Sequence, residues 1–211
     1  MKKSIKKNDL KSALVNELKQ KTILITGGAG SIGTILTQEI LRYPIKQVRV
    51  IDIDEHSLFI LRRKTKNNPK LRLLLGSILD KDRLERACNN VDIIIHLAAQ
   101  AGVRYSLENP RVYLDSNIIG TYNIIELSKK VKVKHLIIAS SSSVYGANRN
   151  IPFKEVHKTE TQLSIYAATK KSTENIAHSY SAIWNMPITM LRLFTVYGPW
   201  GRPDMALFKF T

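Results

Sequence analysis

The feature that most constrains the fold is an apolar, β-branched run, TILIT at residues 22–26, that leads directly into the glycine-rich stretch GGAGSIG. A run of this kind is typical of a strand that is buried on both faces of a parallel sheet. Gly27, Gly30 and Gly33 have the spacing G-x-x-G-x-x-G, and a helical pattern follows from residue 31 to about residue 42. Strand, tight turn and helix in this order predict a dinucleotide-binding unit.

Each glycine has a separate physical role in such a turn. Gly27 permits a sharp turn from strand to helix, Gly30 lets the backbone approach a pyrophosphate, and Gly33 allows the helix to pack closely on the strand. The start of the helix, at Ser31 and Ile32, offers N–H groups and the positive end of the helix dipole to phosphates. We therefore expect these residues to bind a cofactor.

A carboxylate follows the second apolar run. Residues 48–51 form that run, and Asp52 comes directly after it. In dinucleotide-binding units an acidic residue at this position accepts hydrogen bonds from the ribose hydroxyls of the adenosine. Because an acid there would repel the 2′-phosphate of NADP, the sequence favours NAD as the cofactor.

Further strand and helix patterns alternate along the chain. Strands are expected at 71–75, 91–97, 134–139 and 188–193, and helices at about 80–87, 110–130 and 166–184. This alternation predicts an α/β fold, a doubly wound parallel sheet of the Rossmann type that binds ligands at its carboxyl edge. Residues 1–20 are interpreted as a basic N-terminal extension, either a solvated appendage, which we favour, or a short amphipathic helix through Leu10, Leu14 and Leu18. Residues 21–211 are assigned to the NAD-binding domain.

A candidate proton-transfer pair lies in SIYAATKK, where Tyr166 and Lys170 are four residues apart. On a helix this spacing puts both side chains on one face. A free tyrosine titrates near ~10, which is too high for a base at neutral pH, and a nearby cation stabilises the phenolate. The same spacing also occurs on ordinary solvated helix faces, so it is the glycine turn upstream that favours the catalytic interpretation.

The net charge of +16 has two interpretations. It could attract polyanions such as nucleic acid or anionic lipid, or it could reflect a lysine-rich composition together with anionic nucleotide ligands. The basic clusters at 2–7 and 62–70 are not interleaved with aromatic residues. We therefore expect no nucleic-acid partner.

The remaining composition argues against several other classes of protein. No run approaches the ~18 apolar residues of a transmembrane helix, and the basic start lacks an apolar segment, so neither membrane insertion nor a secretory signal is expected. Cys88 is the only cysteine, which excludes an internal disulfide and fits a cytoplasmic location. The histidines lack the spacing of metal ligands, and His96, at the end of a predicted strand, is interpreted as a satisfied core residue.

Longer motifs resemble a known family. These are HLAAQAGVRYSLENP, SSSSVYG, SIYAATKKSTE and LRLFTVYGPWGRPDMALFKF. With the glycine turn and Asp52 they are similar to the extended short-chain dehydrogenase/reductases that modify nucleotide sugars, and most similar to the UDP-glucuronate 4-epimerase branch. The resemblance covers about residues 21–211. It implies an NAD-dependent enzyme that interconverts UDP-glucuronate and UDP-galacturonate through a 4-keto intermediate, for the synthesis of cell-surface polysaccharide.

The resemblance also assigns roles to individual residues. Tyr166 would take the proton from the 4-hydroxyl of the sugar, Lys170 would hold the nicotinamide ribose, and Ser141 would assist. Further contacts with NAD are implied for Ser77, Ile78, Leu97, Ala98, Ala99 and Asn117. The uronate carboxylate would face Arg202, Thr195, Ser142 and Ser143, and Arg104 would lie near the sugar or the diphosphate. Purely structural roles for Arg202, Ser142 and Ser143 remain alternatives.

Three departures from the family pattern bear on these expectations. Ser77 stands where the family usually has an aspartate, which would weaken the affinity for NAD. The stretch DIDEHSLFILRRK is more similar to the related dehydratase and epimerase branch. The chain ends at Thr211, where the family continues into a substrate domain, so that domain is expected to be largely missing.

Several alternatives stay open at this point. The chain could be a non-catalytic NAD-binding fragment, or another nucleotide-sugar epimerase, dehydratase or decarboxylase. A dehydratase is disfavoured, because Ser142 and Ser143 stand where it should carry a carboxylate pair. The resemblance further implies a homodimer formed through the helix that carries Tyr166 and its neighbour.

Overall fold

The fold is a parallel sheet with helices on both faces, seen in a computed structural model that describes residues 7–197, with side chains from residue 10 onward. The strands are β1 Thr22–Thr26, β2 Gln47–Asp52, β3 Leu71–Leu75, β4 Ile93–His96, β5 His135–Ser141 and β6 Ile188–Leu193. Every pairing is parallel, and the order across the sheet is β3-β2-β1-β4-β5-β6. The predicted doubly wound Rossmann fold is confirmed.

The helices alternate with these strands. They are α1 Lys7–Leu18, α2 Ser31–Ile40, α3 Glu55–Lys64, α4 Lys81–Cys88, α5 Tyr105–Glu108, α6 Pro110–Tyr113, α7 Gly120–Val131 and α8 Ile165–Trp184. A π-helical turn, Leu114–Ile119, joins α6 to α7, and a 3₁₀ turn, Ser142–Tyr145, follows β5. The single helix expected over 110–130 is therefore a run of α, π and α segments. None of the helices in the described part of the chain is both long and apolar enough to span a membrane.

The core has two halves because successive side chains of a strand point to opposite faces of the sheet. Every residue of β1 is buried. Ile23 and Ile25 join one half, which also contains Leu58 and Leu61 of α3. Leu24 joins the other half, which contains residues of α4, α7 and α8. The apolar run of β1 thus anchors both helix layers.

The order of the strands determines where a ligand can bind. The chain leaves β1 toward β2 and β3 on one side, and later returns to β4, β5 and β6 on the other. At such a switch point the connections diverge and leave a crevice at the carboxyl ends of the two central strands. Those strands are β1 and β4, so the glycine turn lies at the crevice.

The segment before β1 contains the helix that the sequence offered as the alternative to a solvated appendage. In α1, Leu18 packs against the half of the core that contains α3. Leu10 and Leu14 remain about half exposed. The helix is therefore attached to the domain at its C-terminal end.

Candidate functional site

The glycine turn leaves no room for side chains where β1, β4 and α2 meet. Gly27 has a φ of +66°, and a Cβ on it would lie 2.7 Å from the amide nitrogen of Ala98. A Cβ on Gly33 would lie 2.4 Å from the carbonyl oxygen of Gly27, so α2 packs directly on the turn. Gly30 occupies the N-cap of α2 without a side-chain cap, and the next residues, Ser31 and Ile32, are exposed. This cradle fits a pyrophosphate, which needs close backbone approach and unencumbered N–H groups.

Asp52 is held beside this turn by two backbone amides. Its Oδ2 accepts a hydrogen bond from the amide of Ala29 at 3.1 Å, and its Oδ1 accepts one from the amide of Asp54 at 3.2 Å. The side chain is partly exposed at the end of β2. Its carboxylate is thus fixed next to the crevice, in the position expected for a ribose acceptor.

The two candidates after β3 have different environments. The Oγ of Ser77 accepts a hydrogen bond from the amide of Leu79 at 3.1 Å. Ile78 is buried in the core, and a Cβ on Gly120 would lie 2.3 Å from its Cδ1. The carbonyl of Ile78 accepts a bond from Asn123 Nδ2. A contact between Ile78 and a cofactor would therefore come from its backbone.

The candidates after β4, Leu97, Ala98 and Ala99, follow a buried polar chain. The amide of Leu97 donates to the carbonyl oxygen of Thr26 at 3.0 Å, and the amide of Ala98 donates to the Oγ1 of Thr26 at 3.3 Å. His96 Nδ1 lies 2.6 Å from Thr26 Oγ1, and its Nε2 lies 3.0 Å from Thr121 Oγ1. Burial, and then the charge of Lys170, lower the pKa of His96 to about 3, so the ring is neutral at pH 7. His96 is thus a satisfied core residue that ties β1 to α7.

Asn117 lies in the π-helical turn and is completely buried. Its Oδ1 accepts from the amide of Gln100 at 2.8 Å, and its Nδ2 donates to the carbonyl of Gln100 and to Thr169 Oγ1, both at 3.0 Å. These bonds use both protons of the amide group. Asn117 therefore fastens the loop after β4 to α8. Single π turns within helices are frequent at functional sites.

The three candidate catalytic residues come from α8 and the end of β5. Tyr166 lies in the first turn of α8, is partly exposed, and packs edge-on against the buried Tyr113 at a ring distance of 6.2 Å. Lys170 is 7% exposed and its Nζ donates to the carbonyl of Ala139 at 2.8 Å. Burial lowers the pKa of Lys170 to about 8. Ser141 Oγ accepts from the amide of Ser143 at 3.1 Å. The packing of α8 on β5 thus places the phenol of Tyr166, the ammonium of Lys170 and the hydroxyl of Ser141 at one edge of the sheet.

An ion pair one turn beyond Lys170 fixes this arrangement. Glu174 accepts two bonds from Arg192 of β6, both at 2.9 Å, and one from Ser140 Oγ at 2.6 Å. Burial raises the pKa of Glu174, but the bonds from Arg192 and Ser140 outweigh it and hold the pKa below its usual range. The guanidinium of Arg192 also lies 5.1 Å from the ring centre of Tyr145. Glu174 therefore connects α8 to β5 and β6 beside Ser141.

Neither Glu174 nor Arg192 was among the site residues expected from the sequence. Two signals could have identified them. Glu174 follows Tyr166 and Lys170 at a further interval of four residues, and so lies on the same helix face. Arg192 is the only charged residue of β6, and a largely buried cation there needs a partner.

Three of the candidate substrate residues follow the carboxyl ends of β5 and β6. Ser142 and Ser143 lie in the 3₁₀ turn and are partly exposed. Because Ser141 pairs with Leu193, the exposed Thr195 follows β6 at the same edge. Arg104 is exposed immediately before α5. Arg202 lies outside the described residues.

Comparison with known proteins identifies a family that this chain matches over most of its length. Residues 23–210 match the family model described as the NAD dependent epimerase/dehydratase family. Protein CapI of Staphylococcus aureus is 48% identical over 194 residues, which are 90% of this chain and 58% of CapI. A probable UDP-glucuronate 4-epimerase of Rhizobium meliloti is 45% identical, over 89% of this chain and 57% of its own length. The chain thus spans less than two thirds of these relatives.

Solved structures agree with this grouping. The UDP-glucuronic acid 4-epimerase from Bacillus cereus, in complex with UDP-glucuronic acid and NAD, matches with a TM-score of 0.81 and 35% identity, over 89% of this chain and 60% of that one. The UDP-N-acetylglucosamine 4-epimerase from Methanobrevibacter ruminantium M1 matches with a TM-score of 0.79 and 31% identity, over 89% and 59%.

The burial of Lys170 predicts a measurable pH dependence of stability. Its pKa of about 8 in the folded chain is below the value near 10.4 of an unfolded lysine, so between these values the unfolded chain binds more protons. Below pH 8 the buried ammonium of Lys170 destabilises the folded chain by the full amount. This destabilisation disappears as the pH rises from about 8 to about 10.4. Relative to Lys170→Met, the wild-type chain should gain up to about 3 kcal/mol in free energy of unfolding between pH 7.5 and 10.5. Urea titrations would measure this, and parallel curves for the two chains would contradict it.

Proposed function

The chain belongs to the NAD dependent epimerase/dehydratase family, and on that premise we propose that it acts as an NAD-dependent UDP-sugar 4-epimerase that interconverts UDP-glucuronate and UDP-galacturonate. The observation that carries the proposal is the position of α8, which holds Tyr166 and the buried Lys170 against the end of β5. We place the reaction in the cytoplasm, where the lone and buried Cys88 would stay reduced.

Particular residues would hold the cofactor. The cradle of Gly27, Gly30 and Gly33 would take the pyrophosphate, and Asp52 would accept the ribose hydroxyls. Small side chains at Ala98 and Ala99 leave the backbone accessible beside the turn. Bound NAD⁺ would supply a hydride acceptor for carbon 4 of the sugar, and the hydride would return to the opposite face of that carbon.

Tyr166, Lys170 and Ser141 would carry out and assist the transfer of the proton. Tyr166 would accept the proton of the 4-hydroxyl at its phenolic oxygen, with the ring held edge-on by Tyr113. Lys170, with its pKa lowered to about 8 by burial, still carries its proton on most molecules at pH 7 and would favour the phenolate. Ser141 would donate a hydrogen bond toward the same oxygen of the sugar, since among the described residues its Oγ accepts from the Ser143 amide and its own proton has no acceptor.

Replacing Tyr166 tests the proposed mechanism. In the gene product at full length, Tyr166→Phe should lower the turnover of UDP-glucuronate to UDP-galacturonate by about 10²- to 10⁴-fold, because the proton acceptor is lost. The variant should still bind the cofactor, which a titration with fluorescent NADH measures. Tyr43→Phe is the matched control, because Tyr43 packs in the core away from the crevice and should keep its turnover.

The outcomes separate the two open functions. Near-normal turnover by Tyr166→Phe would remove the proposed role of the phenol. A wild-type protein that binds NAD but converts no UDP-hexose would replace the epimerase with a non-catalytic NAD-binding protein.

The choice of a uronate rests on the edge formed by Ser142, Ser143 and Thr195, together with the similarity to UDP-glucuronate 4-epimerases. The hydroxyls and backbone amides of such an edge can bind a carboxylate, and the fork of an arginine binds it bidentately. Arg202 follows in the sequence and is our candidate for that arginine.

Arg202→Ala should therefore affect acidic and neutral sugars differently. We expect kcat/KM for UDP-glucuronate to fall by about 10- to 100-fold, and that for UDP-glucose to change little, because only the uronate loses a charged hydrogen bond. Arg202→Lys should recover part of the loss, since it keeps the charge without the fork. Equal losses on both sugars would exclude Arg202 from recognition of the carboxylate.

The proposed enzyme is a homodimer formed through α7 and α8. Large apolar side chains are exposed on these helices, including Tyr122, Ile183 and Trp184, with exposures of 40%, 67% and 48%. Lys129 lies 4.3 Å from the ring centre of Trp184 and covers it only in part. Burial of such side chains between two copies would be favourable.

Light scattering on a sizing column tests the dimer. We expect a mass of two chains for the wild type and of one chain for Ile183→Asp, because a carboxylate would have to be desolvated in the interface. Leu163→Asp is the matched control, since Leu163 is 71% exposed but lies before α8, and it should stay dimeric. A wild-type protein that is monomeric at micromolar concentration would refute the assignment.

A further inference from the structure

The segment around the end of α3 and the start of β3 carries a concentration of positive charge. Between residues 56 and 79 the sequence contains no aspartate or glutamate. Within that stretch all the lysines and arginines are exposed, and they are Arg62, Arg63, Lys64, Lys66, Lys70 and Arg72. A surface made of one sign of charge creates a potential that attracts the opposite charge.

The topology adds further cations to the same edge. Strands β1, β2 and β3 are adjacent and parallel, so the residues that precede them lie side by side. The amide of Lys46 donates to the carbonyl of Lys21 at 2.9 Å, and the amide of Val48 to that of Lys70 at 2.8 Å. Lys19 and Lys46 are also exposed. We call the basic face the surface formed by Lys19, Lys46 and the arginines and lysines of residues 62–72.

The opposite edge, which holds the crevice, has no such excess. Its exposed cations are interspersed with acidic residues: Lys81 and Arg83 lie beside Asp80 and Asp82, and Lys158 pairs with Glu160. Helix α3 also begins there with Asp54 and Glu55. Binding of an anionic nucleotide at the crevice therefore does not account for the basic face. The helix dipole favours cations in the last turn of α3, but Lys66, Lys70 and Arg72 lie beyond that helix.

Helix α1 ends at the same edge, because it leads directly into β1. Leu18 attaches it to the core that lies beneath α3, and Leu10 and Leu14 are 48% and 45% exposed. Lys11 is exposed between these leucines, and the sequence before them is rich in lysine. Exposed leucines among lysines are suited to the interface of a lipid bilayer, where the apolar side chains enter and the cations meet anionic headgroups.

We propose that the basic face and the exposed leucines of α1 dock on an anionic lipid bilayer. The ends of three strands, about 4.8 Å apart, and a helix layer about 10 Å away form a broad surface. A protein element that enters the major groove of DNA, which is about 12 Å wide, is a narrow ridge instead. A bilayer matches such a surface better than a nucleic-acid duplex does. Docking by this edge leaves the crevice, at the other end of the strands, open to the solution.

Sedimentation with vesicles tests the proposal on the 211-residue chain itself. At about 50 mM NaCl the chain should bind vesicles in which about one third of the phosphatidylcholine is replaced by phosphatidylglycerol, and should not bind pure phosphatidylcholine. Binding should be lost at about 500 mM NaCl, where the Debye length is only about 4 Å. Equal binding to both kinds of vesicle would overturn the proposal.

Two charge-matched variants separate the basic face from net charge. The triple variant Lys66→Glu, Lys70→Glu, Arg72→Glu should lose at least about tenfold in partitioning to anionic vesicles. The control Lys81→Glu, Arg149→Glu, Lys158→Glu changes the net charge equally with exposed residues of the other edge, and should lose less than about twofold. Equal losses, with both variants folded by circular dichroism, would overturn the proposal. Tighter binding to a random DNA duplex than to anionic vesicles would replace it with a nucleic-acid surface.

Discussion

The constraint on which the rest of the structure depends is the absence of side chains at the turn after β1. A Cβ on Gly33 would lie 2.5 Å from the Cα of Gly28, and one on Gly27 would lie 2.8 Å from the Cα of Ala98. These are backbone contacts that rotation of a side chain cannot relieve. The approach places the start of α2 at the centre of the sheet, with its N–H groups at the crevice. The fold and the candidate ligand site therefore depend on the same few backbone atoms.

Around this turn, buried polar contacts join the two halves of the sheet at fixed positions. His96 links Thr26 of β1 to Thr121 of α7, and Asn117 links the loop after β4 to α8. Each group is desolvated, so an unpaired partner would cost about 1–3 kcal/mol. Hydrophobic contacts alone tolerate small shifts of a helix on a sheet, whereas directed bonds do not. This network, with Glu174 and Arg192, sets the position of Tyr166 relative to the glycine turn.

The sequence predicted the parts of the fold that depend on local pattern. All the strands in the described part of the chain lie within about two residues of the expected ranges, because a buried parallel strand is a short apolar run bounded by turn residues. Helix α3 was not among the expected helices, because its last turn is Arg62, Arg63 and Lys64 and its apolar face is short. The π turn at Asn117 and the partners of Glu174 depend on contacts between distant segments. Spacing can mark Glu174 as a candidate on the face of α8 that carries Lys170, but the residues that it meets on other segments follow only from the topology.

The two edges of the sheet differ in chemistry because every major helix after β1 runs in the same direction relative to the strands. Helix N-termini, with partial positive charge, gather at the crevice, and helix C-termini, with partial negative charge, gather at the opposite edge. Cations at the crevice edge would be repelled by the helix ends, whereas cations at the other edge gain about 0.3–1 kcal/mol each when they lie in the last turn. A chain with a net charge of +16 can therefore place a large part of its excess positive charge away from the crevice. The crevice can then attract an anionic nucleotide mainly through its backbone, while the lysines and arginines of the basic face are left to interact with a separate anionic surface.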